Sequence, residues 1–193
     1  MVDHWCRRVL NDAVDNIVRE AVGPDGSLLE ISGDTWSGAG VPRYRSVHYP
    51  DFDICTDRLR ERFDVVLAEQ VFEHIRHPAW AAHNAYSMLK PGGRFVVSTP
   101  FLVRYHPMPM DLWRWSAQGL GFLLEDAGFV DVRADSWGNR ECVIANLDDW
   151  ADSEPQIQTL DNDPDFPIQV WAVGTRPGRR AALRRRVRGG RAG

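Results

Sequence analysis

Phe63-Asp-Val-Val-Leu-Ala-Glu-Gln-Val-Phe-Glu-His74, followed about a dozen residues later by Ser87-Met-Leu-Lys-Pro-Gly-Gly-Arg-Phe-Val-Val-Ser-Thr-Pro-Phe101, decides the fold class. Phe63 to Ala68 reads as a strand, and its unbroken apolar centre suits a parallel sheet covered on both faces. Helical spacing follows over Gln70 to Ile75 and again over Pro78 to Leu89, with Pro78 near a helix start. Lys90-Pro-Gly-Gly93 predicts a turn, and the β-branched run Arg94 to Ser98 predicts a second strand.

The same alternation extends outward. Asp3 to Val22 is an amphipathic helix with Trp5, Val9, Leu10, Val14, Ile17, Val18 and Val22 on one face. Gly23-Pro-Asp-Gly26 ends it. Ser27 to Ser32 is a short buried strand, Gly33 to Pro42 a loop, and Tyr44 to Tyr49 a further strand. Beyond the central block, Ser116 is an N-cap for a helix through Ala127, ended by Gly128. Strands are expected near Phe129–Asp135 and Gln169–Val173, with an acidic, irregular stretch between them that contains a helix around Val143–Ala151. Strands alternating with helices make an α/β doubly wound sheet, with ligands expected at the carboxyl ends of its strands.

A length of 193 residues with 44% hydrophobic and 26% charged residues fits one domain with a sizeable core. Cys6, Cys55 and Cys142 lie far apart, which argues against a disulfide framework or structural zinc. The polar start and the absence of a long apolar run predict a soluble, cytoplasmic protein with no membrane partner. Residues 176–193 hold eight arginines and no acid, so residues 1–175 carry −12 against −4 for the whole chain. The expected organisation is therefore one domain over 1–175 and a basic, disordered tail over 176–193. An acidic body is a poor match for a phosphate backbone, so nucleic acid is not an expected partner.

Together, in this order and spacing, the two quoted segments resemble the fourth strand, following helix and post-motif of class I S-adenosylmethionine-dependent methyltransferases, in particular the "type 11" group. The resemblance covers roughly residues 25–135, and the closing strand around Trp171 extends it. It implies a Rossmann-like, mostly parallel sheet of about six to seven strands with an antiparallel edge strand, compressed between strands 1 and 3. It also implies S-adenosyl-L-methionine as the cofactor.

Residue by residue, Glu30 at the end of the first strand matches the acid that orients the methionine moiety. Asp51, 21 residues later, matches the acid that accepts both ribose hydroxyls. Asp53 would face the adenine amino group, with Ile54 on the ring, although Asp51 and Asp53 are close enough to exchange roles. Glu69 and Gln70 would line the methionine end. Glu73 and His74 read as a helix pair holding the scaffold.

The pattern departs from the family at its first loop, where glycines are usual. Here Glu30-Ile-Ser-Gly-Asp34 places Ser32 and Asp34 at two of those positions, leaving Gly33 to form the turn. About eleven residues separate Ser32 from Tyr44, too few for the usual crossover helix, and Tyr49 to Asp53 leaves no room for another. Shortened crossovers would expose apolar sheet surface, which a second copy in a homodimer would cover.

The segment Pro100 to Trp115 is where this family holds its acceptor. It carries Arg104, Asp111 and Arg114 as substrate-binding candidates and His106 as the candidate base, since imidazole titrates near neutrality. The other reading of His106, Asp111 and Arg114 is a hydrogen-bonded strut. His4, His77 and His83 show no metal-ligand spacing, so no metal is expected, and Cys142 shows no partner base. The expected function is methyl transfer to a small-molecule acceptor such as a sugar, natural product or other metabolite. The competing expectation is a non-catalytic relative that has lost its glycine loop.

Overall fold

In the computed structural model, which describes residues 5–147 and 159–178, an 18-residue helix precedes the first strand. This is α1 (Trp5–Val22), and the order continues β1 (Ser27–Ile31), β2 (Arg43–Val47), β3 (Phe63–Glu69), α2 (Pro78–Ser87), β4 (Leu89–Pro100), α3 (Ala117–Asp126), β5 (Val130–Trp137), α4 (Arg140–Ala145) and β6 (Gln169–Thr175). The six strands form one sheet in the order β2-β1-β3-β4-β6-β5. β2, β1, β3 and β4 pair in parallel, and β6 runs antiparallel to both β4 and β5.

Strand alternation sends side chains to two cores. Val66 and Ala68 of β3 join Phe95, Val97, Ala81, Ala85, Leu120 and Leu124 beneath α2 and α3. Val65 and Leu67 face the other way, with Leu28 and Val96, onto Leu10, Val14 and Val18 of α1. The sheet is therefore sandwiched between helices, which is why β1 and the centre of β3 read as continuous apolar runs. The two edges carry charge: Arg43 and Arg45 on β2, and Asp131, Arg133 and Asp135 on β5. Charged edge strands discourage pairing with another sheet. Among the described residues no helix is long and apolar enough to cross a membrane.

The compression falls where the sequence places it. Only a loop joins β1 to β2, and residues 48–62 contain no strand, so the sheet ends at β2. Three local expectations are corrected. Residues 70–77 form a turn and not a helix, because Gln70 enters the left-handed region (φ 55°) and the Glu73 carbonyl accepts from Leu112 and Trp113 N–H. Lys90 to Gly93 lies inside β4 as an irregularity in its pairing with β3, where Gly92 takes φ 86°. A side chain at Gly93 would meet the Asp64 carbonyl at 2.9 Å. The helix expected around Val143–Ala151 starts earlier, at Arg140, because the Asn139 side chain caps it by accepting from Cys142 N–H. Residues 148–151, His4 and the arginines from 179 onward lie outside the described residues.

Candidate active site at the carboxyl ends of the strands

β1, β2, β3 and β4 all end on the same rim of the sheet, and that rim carries the polar residues singled out in the sequence. Glu30, the penultimate residue of β1, is 1% exposed. Its Oε1 accepts from Thr35 N–H at 3.0 Å, and its Oε2 accepts from Trp36 N–H at 3.1 Å and from the Tyr44 hydroxyl at 2.7 Å. This carboxylate therefore folds the loop after β1 around itself. Ser32 takes φ 57° to start that loop and donates its N–H to the Val47 carbonyl. A Cβ at Gly33 would lie 2.4 Å from Glu30 Oε1, so a larger residue there would have to displace the buried carboxylate. Asp34 points outward and pairs with His48 at 3.2 Å.

After β2 the chain turns through Asp51, which is exposed. Asp53 accepts from Cys55 N–H at 2.8 Å in a local turn, and Ile54, 3% exposed, packs into the core beneath α2 and α3. The nucleoside-binding candidates thus differ in availability: Asp51 is open to solvent, whereas Asp53 is engaged with its own backbone.

Past β3 the rim dips into a cavity of about 180 Å³, lined by Cys6, Arg7, Gln70, Glu73, His74, Pro100, His106 and Gln169. Gln70 donates to Ser98 Oγ and to Gln169 Oε1, tying β3 to β4 and β6. Arg7 reaches across from α1 to form an ion pair with Glu69. Burial pushes the Glu69 carboxyl above its usual range, and Arg7 opposes that push. Glu73 is 1% exposed, and among the described residues its Oε2 has no hydrogen-bond partner. Burial pushes this carboxyl up to about 8.

The segment after β4 forms a strap that brings His106 to the wall of this cavity. Asp111, with 3% of its side chain exposed, forms a two-pronged ion pair with Arg114, and its Oδ2 accepts from His106 N–H at 2.9 Å. Arg114 also donates to the Arg104 carbonyl at 3.3 Å. The Arg114 hydrogen bond holds the Asp111 carboxyl down at about 2. Burial holds the His106 imidazole below its usual range, with Asp111 opposing. The His106 and His74 rings meet edge to face with centroids 5.1 Å apart. Trp113 and Trp115 stack nearby, while Trp36 and Trp137 are core residues.

The structure brings Gln70 and His106 to one cavity, with Glu69 joined to its lining residue Arg7, and links His106, Asp111, Arg114 and Arg104 in one strap. It sets Asp51 and Asp53 apart from them along the rim. No signal in the sequence marks Cys6, Arg7 and Gln169 as cavity residues, and Glu73 and His74 lie on a turn where the periodicity predicts a helix. Nothing local marks Arg7, one basic residue on an amphipathic helix, because its partner Glu69 is 62 positions away.

Residues 3–133 match the model of a family described as "Methyltransferase domain". The chain belongs to that methyltransferase family. It is of the class I kind, which takes S-adenosylmethionine as cofactor. A Mycolicibacterium smegmatis protein named "Probable S-adenosylmethionine-dependent methyltransferase" is 31% identical over 130 residues, which cover 61% of this chain and 46% of that protein. The chain thus spans about half the length of this curated relative. Among solved structures, a SAM-dependent methyltransferase from Archaeoglobus fulgidus superposes with a TM-score of 0.58 at 13% identity, over 88% of this chain and 94% of that one. A methyltransferase in complex with the Haloferax volcanii Trm112 methyltransferase activator gives 0.56 at 17% identity, over 90% and 94%. Phosphoethanolamine N-methyltransferase 2 of Haemonchus contortus, bound to S-adenosyl-L-methionine, gives 0.57 at 13% identity, over 86% and 52%. At these identities the three structures speak for the fold.

Proposed function

We propose that this methyltransferase domain transfers a methyl group to a small-molecule acceptor, a sugar, natural-product or other metabolite group, held between the exit of β3 and the strap. The observation that carries the reading is the cavity itself, which joins Gln70, at the exit of β3, to His106 of the strap in one small space. Bound S-adenosylmethionine supplies a methyl on a sulfonium, already activated, so positioning supplies much of the catalysis, up to roughly 7–11 kcal/mol.

The residues fit that cofactor. A left-handed turn at Ser32 leaves β1 beside Gly33, where a Cβ would press on the Glu30 carboxylate, and the buried Glu30 fixes the shape of that turn. About 180 Å³ is less than the roughly 300–1,000 Å³ of ordinary ligand pockets. In this reading the cavity takes the methionyl end beside Glu69 and Gln70, and the nucleoside runs along the open rim. The exposed Asp51 then receives the ribose hydroxyls, while Asp53 and Ile54 bound the adenine. On the acceptor side, Arg104, Asp111 and Arg114 shape the strap, and His106 is the group within reach of an acceptor proton.

Calorimetry of the full chain with S-adenosylhomocysteine tests the reading. Binding in the micromolar range that weakens at least tenfold in Asp51→Ala supports it. Absence of binding at high micromolar ligand overturns it and favours the alternative of a non-catalytic relative.

A further inference from the structure

We infer that Glu73, His74 and His106 form a site for one divalent transition-metal ion of the zinc class on the wall of this cavity. One ligand atom from each of the three lies within 4.8 Å of the other two. At metal–ligand distances of about 2.0–2.2 Å, tetrahedral ligands stand roughly 3.3–3.5 Å apart, so a bound ion would draw the three together by about an ångström. Side-chain rotation supplies that much.

The turn that replaces the expected helix makes the cluster possible. On a helix, adjacent residues point about 100° apart and cannot share a ligand. Here the left-handed Gln70 and the diverted Glu73 carbonyl leave the helical path, and Glu73 and His74 both line the cavity. His74 Nδ1 is held on the Met110 carbonyl, which only accepts, so the ring proton sits on Nδ1. His74 Nε2 then offers its lone pair, 3.6 Å from Glu73 Oε1. A ring fixed through its other nitrogen by a carbonyl is the usual outer support of a metal-bound histidine. His106 comes from the strap, which the Asp111–Arg114 pair holds over the site.

A second observation points to a cation. Glu73 is 1% exposed, its Oε2 has no partner among the described residues, and it lines the cavity. The nearby arginines are each paired with another carboxylate, Arg7 with Glu69 and Arg114 with Asp111. A buried carboxylate in that position is stabilised by protonation or by a bound cation. Two imidazole nitrogens and one carboxylate suit zinc-class ions better than magnesium, which prefers oxygen. Three protein ligands leave a coordination position open to the cavity, where an acceptor oxygen would bind. That last role rests on the proposed methyl-transfer reading, with His106 then serving as a ligand to the ion and not as the base, whereas the ion site does not.

The test is metal binding by the full chain after chelator treatment, followed by calorimetry with Zn²⁺ and by the visible spectrum with Co²⁺. One ion per chain and a Co²⁺ spectrum of low-symmetry nitrogen–oxygen coordination are expected. Glu73→Gln and His106→Ala should each weaken binding more than about 100-fold, a loss larger than that for outer-sphere changes. His83→Ala, at an exposed surface site, should leave it unchanged. Circular dichroism checks that each variant is folded. If a variant does not fold, the unmodified chain decides, through its stoichiometry and the loss of the Co²⁺ spectrum on modification of histidine. No stoichiometric binding by the unmodified chain overturns the inference, as does undiminished binding in folded Glu73→Gln and His106→Ala. S-adenosylhomocysteine binding, measured separately, reports on the methyltransferase reading independently of the metal.

Discussion

The Tyr44 hydroxyl donates a 2.7 Å hydrogen bond to Glu30 Oε2 and thereby ties the first residues of β2 to the buried acid at the end of β1. With Thr35 and Trp36 N–H it completes a set of donors around one carboxylate, in place of the longer glycine loop and helix that usually fill this corner. Hydrogen bonds to a buried charge are worth about 1.5–3 kcal/mol. Tyr44→Phe should therefore lower stability by about 1.5–3 kcal/mol, read as a shift of the urea midpoint at unchanged slope. A loss under about 0.5 kcal/mol would show that Glu30 is satisfied without it.

Gly33 is the tightest glycine of the candidate site. Gly33→Ala would place a methyl group 2.4 Å from Glu30 Oε1, and that carboxylate cannot retreat without releasing Thr35 and Trp36. Overpacking of this kind costs about 1–3 kcal/mol. The expected outcome is that loss in urea, together with at least tenfold weaker S-adenosylhomocysteine binding by calorimetry. Unchanged affinity would place the cofactor elsewhere.

Asp64 sets a dependence on acid. Its Oδ2 accepts from Ser27 N–H, Ser27 Oγ and Lys90 Nζ, joining the starts of β1 and β3 to the bulge of β4. Burial pushes the carboxyl up, but the Lys90 and Ser27 hydrogen bonds outweigh it, and the group sits below the usual carboxylate range. A carboxylate whose pKa is lower when folded adds stability that is complete above the unfolded value, about 3.9, and is lost as pH falls through the folded value. Asp64 and Lys90 are 30% and 33% exposed, so screening keeps the effect near about 1 kcal/mol. Asp64→Asn should cost that much at pH 7 and flatten the decline below pH 4. An unaltered pH profile would remove Asp64 as its source.

The strap depends on Arg114. Arg114→Ala leaves the 3% exposed Asp111 without its partner and frees the Arg104 carbonyl. Losing one member of a buried pair costs about 3–5 kcal/mol, and the 26% exposure of Arg114 brings the expected loss to about 1–3 kcal/mol. Amide hydrogen exchange should accelerate over residues 104–114 while β3 and β4 stay protected. Uniform acceleration across the sheet would mean that the strap is part of the global fold.

Much of the framework is legible in the sequence. Val65, Val66 and Leu67 announce a strand buried on both faces, and Ser116 and Gly128 bracket α3, because these signals act through neighbours a few positions away. The short spacing from Ser32 to Tyr44 correctly announced a missing crossover helix. Lys90 to Gly93 was read as a turn, although the pairing of Arg176 with Gly92 and Gly93 draws it into the sheet. The periodicity of Val71, Phe72 and Ile75 predicts a helix, but Leu112 and Trp113 N–H capture the Glu73 carbonyl.

The sequence by itself determined the α/β alternation, the polar rim at the carboxyl ends of the strands and the family to which the chain belongs, since these follow from local periodicity and from motifs within about forty residues. Only the tertiary structure decided what that rim contains. It turned Glu30 inward onto its own loop, matched Arg7 with Glu69 across 62 positions, and lowered His106 onto Glu73 and His74 from a strap more than thirty residues downstream. The reason is physical: a buried charge must find its partners in space, and spacing along a chain carries no record of which segment will supply them.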